Sequence, residues 1–281
     1  MLCAAVLGAG YGHAADMSAA LLKDGSKGDD WAGPGGTYGE QHYSPLTQIN
    51  TNTVSKLGLA WSIDLPPGNS VSAPLEVDGT LYFVTGYGIV HAADVKTGKE
   101  LWVYDSKAPE AAGRKMRYGW GSRGLAWWNG KVYVGTIDGR LIAVDGKTGK
   151  PVWSAMTLNN ADVNYITGAP RAFDGKVIIG FGGADFGESR GYVSTYDAET
   201  GKLLWRWYVV PGDPAKGFEN AAMEMAAKTW SGEWWKYGGG GATWNAMSYD
   251  PDTKTVFIGT GNGGPWNHKA RSQGKGDNLF L

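Results

Sequence analysis

The sequence predicts an all-β protein, a β-propeller assembled from four-stranded antiparallel blades with tryptophan docking motifs. Three observations carry that expectation. First, "DVKTGKELW" from Asp94 returns as "DGKTGKPVW" from Asp145 and "DAETGKLLW" from Asp197, at spacings of 51 and 52 residues. Second, a strand-like segment opening on a tight-turn pair precedes each copy: "DGTLYFVTG" from Asp78, "NGKVYVGTI" from Asn129 and "DGKVIIGFG" from Asp174. Third, 45 glycines, 14 tryptophans and 14 tyrosines in 281 residues alternate turns with bulky packing groups, which suits many short strands. A period near 50 residues with four strands per repeat is the mark of blades that bury their faces on one another around an axis.

In chain order, residues 1–15 are apolar and small and end near Gly12-His13-Ala14. This is the pattern of a signal peptide's end without its basic start, so a partial or truncated signal and a periplasmic location are expected. Residues 16–281 are expected to form a partial propeller domain of three blades and the start of a fourth. In each blade Asp-Gly or Asn-Gly closes the first hairpin, because glycine reaches positive φ without steric cost. Asp-x-x-Thr-Gly closes a longer one, the carboxylate capping backbone N–H groups while Gly98, Gly149 or Gly201 takes the left-handed position. The tryptophan that follows starts the last strand and must bury its face against the neighbouring blade.

Residues from about 206 to 241 break the period. There "FENAAMEMAAKTW" puts Phe218, Ala221, Ala222, Met225 and Thr229 on one helical face, which predicts a helical insertion between blades three and four. "TKTVFIGTG" from Thr253 resumes the pattern, and the sequence stops at "DNLFL" where the third strand of blade four is due. About half a ring is therefore expected.

Composition narrows the function. A formal net charge of −1 with no block of like charges argues against nucleic acid or an anionic membrane as partner. No apolar run is long enough to span a membrane. A single cysteine, Cys3, excludes an internal disulfide and a cysteine-based metal site. A small ligand fits better.

Together with "RGLAWWNGKVYVGTIDGRLIAVD", "GGADFGESRGYVSTYDAETG" and "GTGNGGPWN", the repeat closely resembles the pyrroloquinoline quinone (PQQ) dependent alcohol dehydrogenases from about Trp31 to Leu281. The resemblance implies an eight-bladed ring with PQQ on its axis, a Ca²⁺ or lanthanide ion, and an Asp as catalytic base. Trp244 in "GGGGATWNAM" matches the tryptophan that stacks under the cofactor, and Arg123 in "GWGSRGLAWW" the arginine that bonds and polarises the quinone. Thr167 in "ITGAP" matches a hydroxyl donor to a PQQ carboxylate, and Gly183 and Ala184 match backbone that approaches the cofactor. Asp185 stands where the family usually carries Glu, and Asn262 matches the amide ligand; these two are the metal candidates, with Glu188 an alternative to Asp185. Residue chemistry agrees: a planar tricarboxylate ortho-quinone needs a flat aromatic floor, cationic and hydroxyl groups, and oxygen ligands for a hard cation.

Departures are equally specific. Arg117-Tyr118 replaces two adjacent cysteines common in the family, so Tyr118 or Trp120 is expected to cover the upper face, and Val71 replaces a Glu. The family's catalytic Asp falls beyond Leu281 and no Cys-x-x-Cys-His haem motif occurs, so the chain is expected to be a fragment without its base. The resemblance implies a small primary or secondary alcohol as substrate and a cytochrome c or quinone as acceptor, and leaves room for a homodimer. Two other readings stand beside it: a non-catalytic propeller scaffold with the same repeat, and a PQQ-dependent sugar dehydrogenase. A scaffold has no need of Arg123, Asp185, Trp244 and Asn262 at the axial ends of their strands.

Overall fold

Two-residue turns set the register of every complete blade. Asp78-Gly79, Asn129-Gly130 and Asp174-Gly175 hold positive φ at both positions, the turn whose twist matches its flanking strands. Val77 thus pairs with Thr80, Trp128 with Lys131 and Phe173 with Lys176. The structure is a computed structural model and describes residues 18–65, 72–113, 115, 121–158, 163–244 and 247–281. The signal expected over residues 1–15, Val71, Arg117, Tyr118 and Trp120 lie outside the described residues.

Blade one contains β1 (Leu75–Val77), β2 (Thr80–Thr85), β3 (Ile89–Asp94) and β4 (Glu100–Asp105). Blade two contains β5 (Ala126–Trp128), β6 (Lys131–Gly135), β7 (Arg140–Asp145) and β8 (Pro151–Met156). Blade three contains β9 (Arg171–Phe173), β10 (Lys176–Ile179), β11 (Tyr192–Asp197) and β12 (Leu203–Tyr208). Each is an antiparallel meander in chain order. After blade three, β13 (Gly239–Gly240) pairs with β16 (Gly263–Gly264), enclosing the antiparallel pair β14 (Met247–Asp250) and β15 (Thr255–Ile258). The first strands lie innermost, β5 and β14 both packing on β9, while β4, β8 and β12 carry the exposed residues. The all-β propeller expectation holds.

The longer hairpins form as expected. Asp94 Oδ1 accepts from the backbone N–H of Lys96 and Thr97 and from the Thr97 hydroxyl, at 3.1, 2.8 and 2.7 Å. These Thr97 bonds hold the Asp94 carboxyl below the usual carboxylate range. A bulge recurs just ahead of each turn, at Ala92/Ala93, Ala143/Val144 and Thr195/Tyr196.

Two of the three repeat tryptophans fasten their blade to the next, whereas Trp205 of blade three is 39% exposed and does not bury its face as expected. The Trp102 indole N–H donates to the Gly146 carbonyl at 2.9 Å and that of Trp153 to the Ala198 carbonyl at 3.0 Å. Gly149 and Gly201 lie flat under those rings: a Cβ there would sit 2.8 and 2.7 Å from them. Trp61 does the same to blade one, donating to the Val95 carbonyl at 3.0 Å. Two tyrosines that periodicity did not mark share the task. Tyr82 and Tyr133 donate to the Gly146 and Ala198 carbonyls at 3.2 and 3.1 Å, so each carbonyl accepts from a tyrosine and a tryptophan of the preceding blade.

The insertion begins after Tyr208, because β12 runs that far. Its helix is short, Ala221–Ala227, started by Asn220, whose side chain accepts from the Met223 N–H at 3.0 Å. The buried face differs from the predicted one. Met223, Ala226 and Trp230 are buried, whereas Met225 is 45% exposed. Among the described residues no helix is long and apolar enough to cross a membrane.

A strap of residues 18–42 crosses the hairpin end of all four sheets. The Ser18 hydroxyl accepts from the Asn129 N–H, and Trp31 exchanges backbone hydrogen bonds with Glu76. Glu40 grips Arg171 at 2.7 and 3.3 Å, Tyr38 meets Tyr249 edge to face, and Lys23 reaches Asp252 at 3.1 Å.

Candidate functional site

In an antiparallel hairpin the residue before the first strand and the residue after the second share one end of the sheet. Arg123 precedes β5, Thr167 precedes β9 and Trp244 precedes β14, while Asp185 follows β10 and Asn262 follows β15. All five therefore fall at the end of the propeller opposite the strap.

The three lead-in residues touch. Backbone bonds run from Ala73 N–H to the Arg123 carbonyl at 3.0 Å and from Arg123 N–H to the Thr167 carbonyl at 2.9 Å, stitching neighbouring blades in parallel. Arg123 Nη1 donates to Thr167 Oγ1 at 2.5 Å, and its guanidinium carbon lies 4.8 Å from the centroid of the Trp244 ring. Thr167 is buried, while Trp244 keeps 39% of its surface exposed. Gly168 permits the approach of blade four, since a Cβ there would lie 2.8 Å from the Trp244 carbonyl oxygen. Burial pulls the Arg123 pKa below its ordinary value, with nearby Tyr165 working in the opposite sense; an arginine remains charged regardless.

The oxygen donors sit on two adjoining loops. Half-buried Asp185 accepts from the Trp266 indole N–H through Oδ2 at 2.9 Å. Exposed Asn262 is held by its main chain, its carbonyl accepting from Gly241 N–H at 2.9 Å, and its side-chain amide has no hydrogen-bond partner among the described residues. Gly240 packs between both loops: it pairs with Gly263, bridges Arg190, donates to the Ser189 carbonyl at 3.3 Å and accepts from Gly191 N–H at 2.7 Å. A Cβ there would collide with the backbone of Gly264 and Asn262, which explains the glycine run before Trp244. The indole nitrogen of Trp244 lies 3.3 Å from where a Cβ of Gly261 would be, so the Trp244 ring abuts the residue preceding Asn262.

Gly183 and Ala184 are placed differently. The Tyr165 ring lies against Gly183, and Ala184 is fully buried with its carbonyl facing Gly264. Glu188 is exposed and makes no hydrogen bond or ion pair among the described residues. Sequence reasoning missed Tyr165, placed between Gly183 and Arg123, and Trp266. The one available signal for Trp266 was its position four residues after Asn262. Among the described residues no three His, Cys, Asp or Glu side chains gather into a metal site of their own.

Residues 31–280 match the family model of the PQQ glucose/ethanol/alcohol dehydrogenase β-propeller domain. The chain belongs to this PQQ propeller family. It is 50% identical over 283 residues to the quinohemoprotein alcohol dehydrogenase ADH IIB of Pseudomonas putida, covering 100% of this chain and 41% of that protein. The crystal structure of the quinohemoprotein alcohol dehydrogenase from Comamonas testosteroni superposes with a TM-score of 0.86 at 47% identity, covering 96% of this chain and 42% of that one. A europium-containing methanol dehydrogenase gives a TM-score of 0.82 at 34% identity, covering 94% and 47%. The chain thus spans about two fifths of the length of the curated relatives it matches.

Proposed function

We propose that this end of the propeller binds PQQ and a Ca²⁺ or lanthanide ion and serves the oxidation of a small primary or secondary alcohol. The observation that carries the reading is the contact of Arg123, Thr167 and Trp244, brought from three blades to one point. Bound PQQ supplies the acceptor for the two electrons of the alcohol. Trp244 is the flat floor, its exposed indole the surface on which a planar ring system stacks. Arg123 offers a cationic fork to quinone and carboxylate oxygens and stabilises negative charge as it develops there. Because Thr167 accepts from Arg123, its own O–H remains free to donate to a cofactor carboxylate.

The donor set at Asp185 and Asn262 fits a hard cation: both are oxygen ligands, and the Asn262 amide is not spent on the protein. Six to eight oxygens surround Ca²⁺ in general, so cofactor and solvent oxygens would complete the shell. The base that takes the hydroxyl proton is assigned to no residue of this sequence. The names of the relatives, quinohemoprotein and quinone-linked alcohol dehydrogenases, support a cytochrome or quinone as the electron acceptor. Residues 1–15 support a periplasmic location, which spheroplast fractionation tests.

Titration of PQQ followed by absorbance and tryptophan quenching tests the site. Replacing Trp244→Leu removes about 1–2 kcal/mol of stacking and apolar contact, roughly a five- to thirty-fold loss of affinity. Arg123→Lys breaks the fork and weakens binding as well. Wild-type affinity in both variants refutes the reading.

A further inference from the structure

Trp266 is more than half exposed, at 62%, yet its indole N–H is committed to the Asp185 carboxylate at 2.9 Å. An indole is a donor only, so it holds the carboxylate and cannot compete for a cation. The bond takes Oδ2 and leaves Oδ1 facing no hydrogen-bond donor among the described residues. Phe186, 51% exposed, packs on the same ring at 5.7 Å between centroids. The two loops that carry Asp185 and Asn262 are therefore joined at their tips as well as at their base, where Gly240 holds both.

Trp266 is itself braced from below. Arg271 donates to the Pro265 carbonyl at 2.5 Å through Nη1 and to Asn278 Oδ1 at 3.0 Å through Nε. The segment from Asn262 to Trp266 is thus fixed by β16 on one side and Arg271 on the other. The main chain of the Asp185 loop is held at its base by Gly240, but the indole is the one hydrogen-bond partner that fixes the Asp185 carboxylate about χ1 and χ2 among the described residues.

We propose that Trp266 is the positioning residue of the cation site: its indole N–H ties Asp185 to the loop bearing Asn262 and sets the spacing of the two oxygen donors. The inference rests on the assignment of Asp185 and Asn262 as ligands. Outer partners of this kind hold a ligand in its bonding rotamer, and their loss costs about 10–100-fold in metal affinity. Trp266→Phe keeps the ring beside Phe186 and removes the donor alone.

The test is calorimetric titration of Ca²⁺, and separately of La³⁺, into the PQQ-saturated chain, with thermal unfolding of the metal-free protein measured alongside. Trp266→Phe is expected to weaken both cations by about 10–100-fold while leaving metal-free unfolding in place, since the indole is exposed. Trp266→His, which restores an N–H donor, recovers part of the loss and covers the case in which the phenylalanine variant folds poorly. Asp185→Asn is the separating control. If it abolishes binding while Trp266→Phe binds as wild type, the positioning role is overturned and the ligand assignment survives. If Asp185→Asn binds as wild type, the ligand assignment falls and the role of Trp266 falls with it.

Discussion

The double use of one carbonyl between blades gives a measurable non-additivity. The Ala198 carbonyl belongs to a fully buried residue and accepts both the Trp153 indole N–H at 3.0 Å and the Tyr133 hydroxyl at 3.1 Å. Trp153→Phe removes one donor and leaves the acceptor satisfied, so its hydrogen-bond cost is the ordinary net value of about 0.5–1.5 kcal/mol, besides lost packing. Tyr133→Phe alone costs about the same. With both donors removed, a buried carbonyl has no partner, and desolvation adds about 1–3 kcal/mol that neither single change incurs. The double variant should therefore exceed the sum of the singles by about 1–3 kcal/mol, packing against other neighbours cancelling in the cycle and the Tyr133–Trp153 ring contact being kept by the two phenylalanines. Urea unfolding of the four proteins at constant m-value is the assay, with the midpoint as the readout. Additivity within about 0.3 kcal/mol refutes the shared-acceptor reasoning, because the carbonyl would then have found another partner.

Two further outcomes follow from the same structure. Gly240→Ala places a Cβ against the backbone of Gly264 and Asn262 at a φ of +84°, so left-handed strain of about 1–3 kcal/mol adds to a collision that separates the donor loops; melting and metal titration should both deteriorate, and an unchanged pair would remove Gly240 as their spacer. Burial, then the hydrogen bond to Asp174, pushes the Tyr249 hydroxyl up to about 12, and burial raises that of Tyr38 as well. The folded state therefore retains these protons while the unfolded chain loses them, and stability complete below pH 10 declines as pH rises through 10 towards 12. Tyr249→Phe should flatten that decline in a pH series of unfolding midpoints.

Local chemistry made much of this fold legible. Asp-Gly and Asn-Gly pairs and the Asp-x-x-Thr-Gly turns act within a few residues, so their strands could be placed from the repeat alone. Tyr82 and Tyr133 escaped because their acceptors lie 64 and 65 residues away on another blade, where no spacing rule reaches. The helix start was missed because a periodicity count over 218–229 ignored Asn220, and the buried face of Met223, Ala226 and Trp230 is set by tertiary packing that so short a helix does not reveal. At the site, Arg123, Thr167, Trp244, Asp185 and Asn262 were legible through the resemblance to the PQQ-dependent alcohol dehydrogenases, whose motifs they match at strand ends. Trp266 was not, since its bond to Asp185 crosses 81 residues and follows from the pairing of two loops.

The strap has a consequence for the order in which the protein is made. Its ties span the largest stretches of sequence described, 131 residues between Glu40 and Arg171 and 229 between Lys23 and Asp252. Such closures are entropically rewarded only once the intervening sheets stand side by side. The strap, made before the sheets it crosses, therefore settles after them, and a nascent chain holds residues 18–42 loose until β14 and β15 have emerged. Hydrogen exchange during refolding should accordingly protect Trp31 and Tyr38 after the hairpin amides of blades one to three.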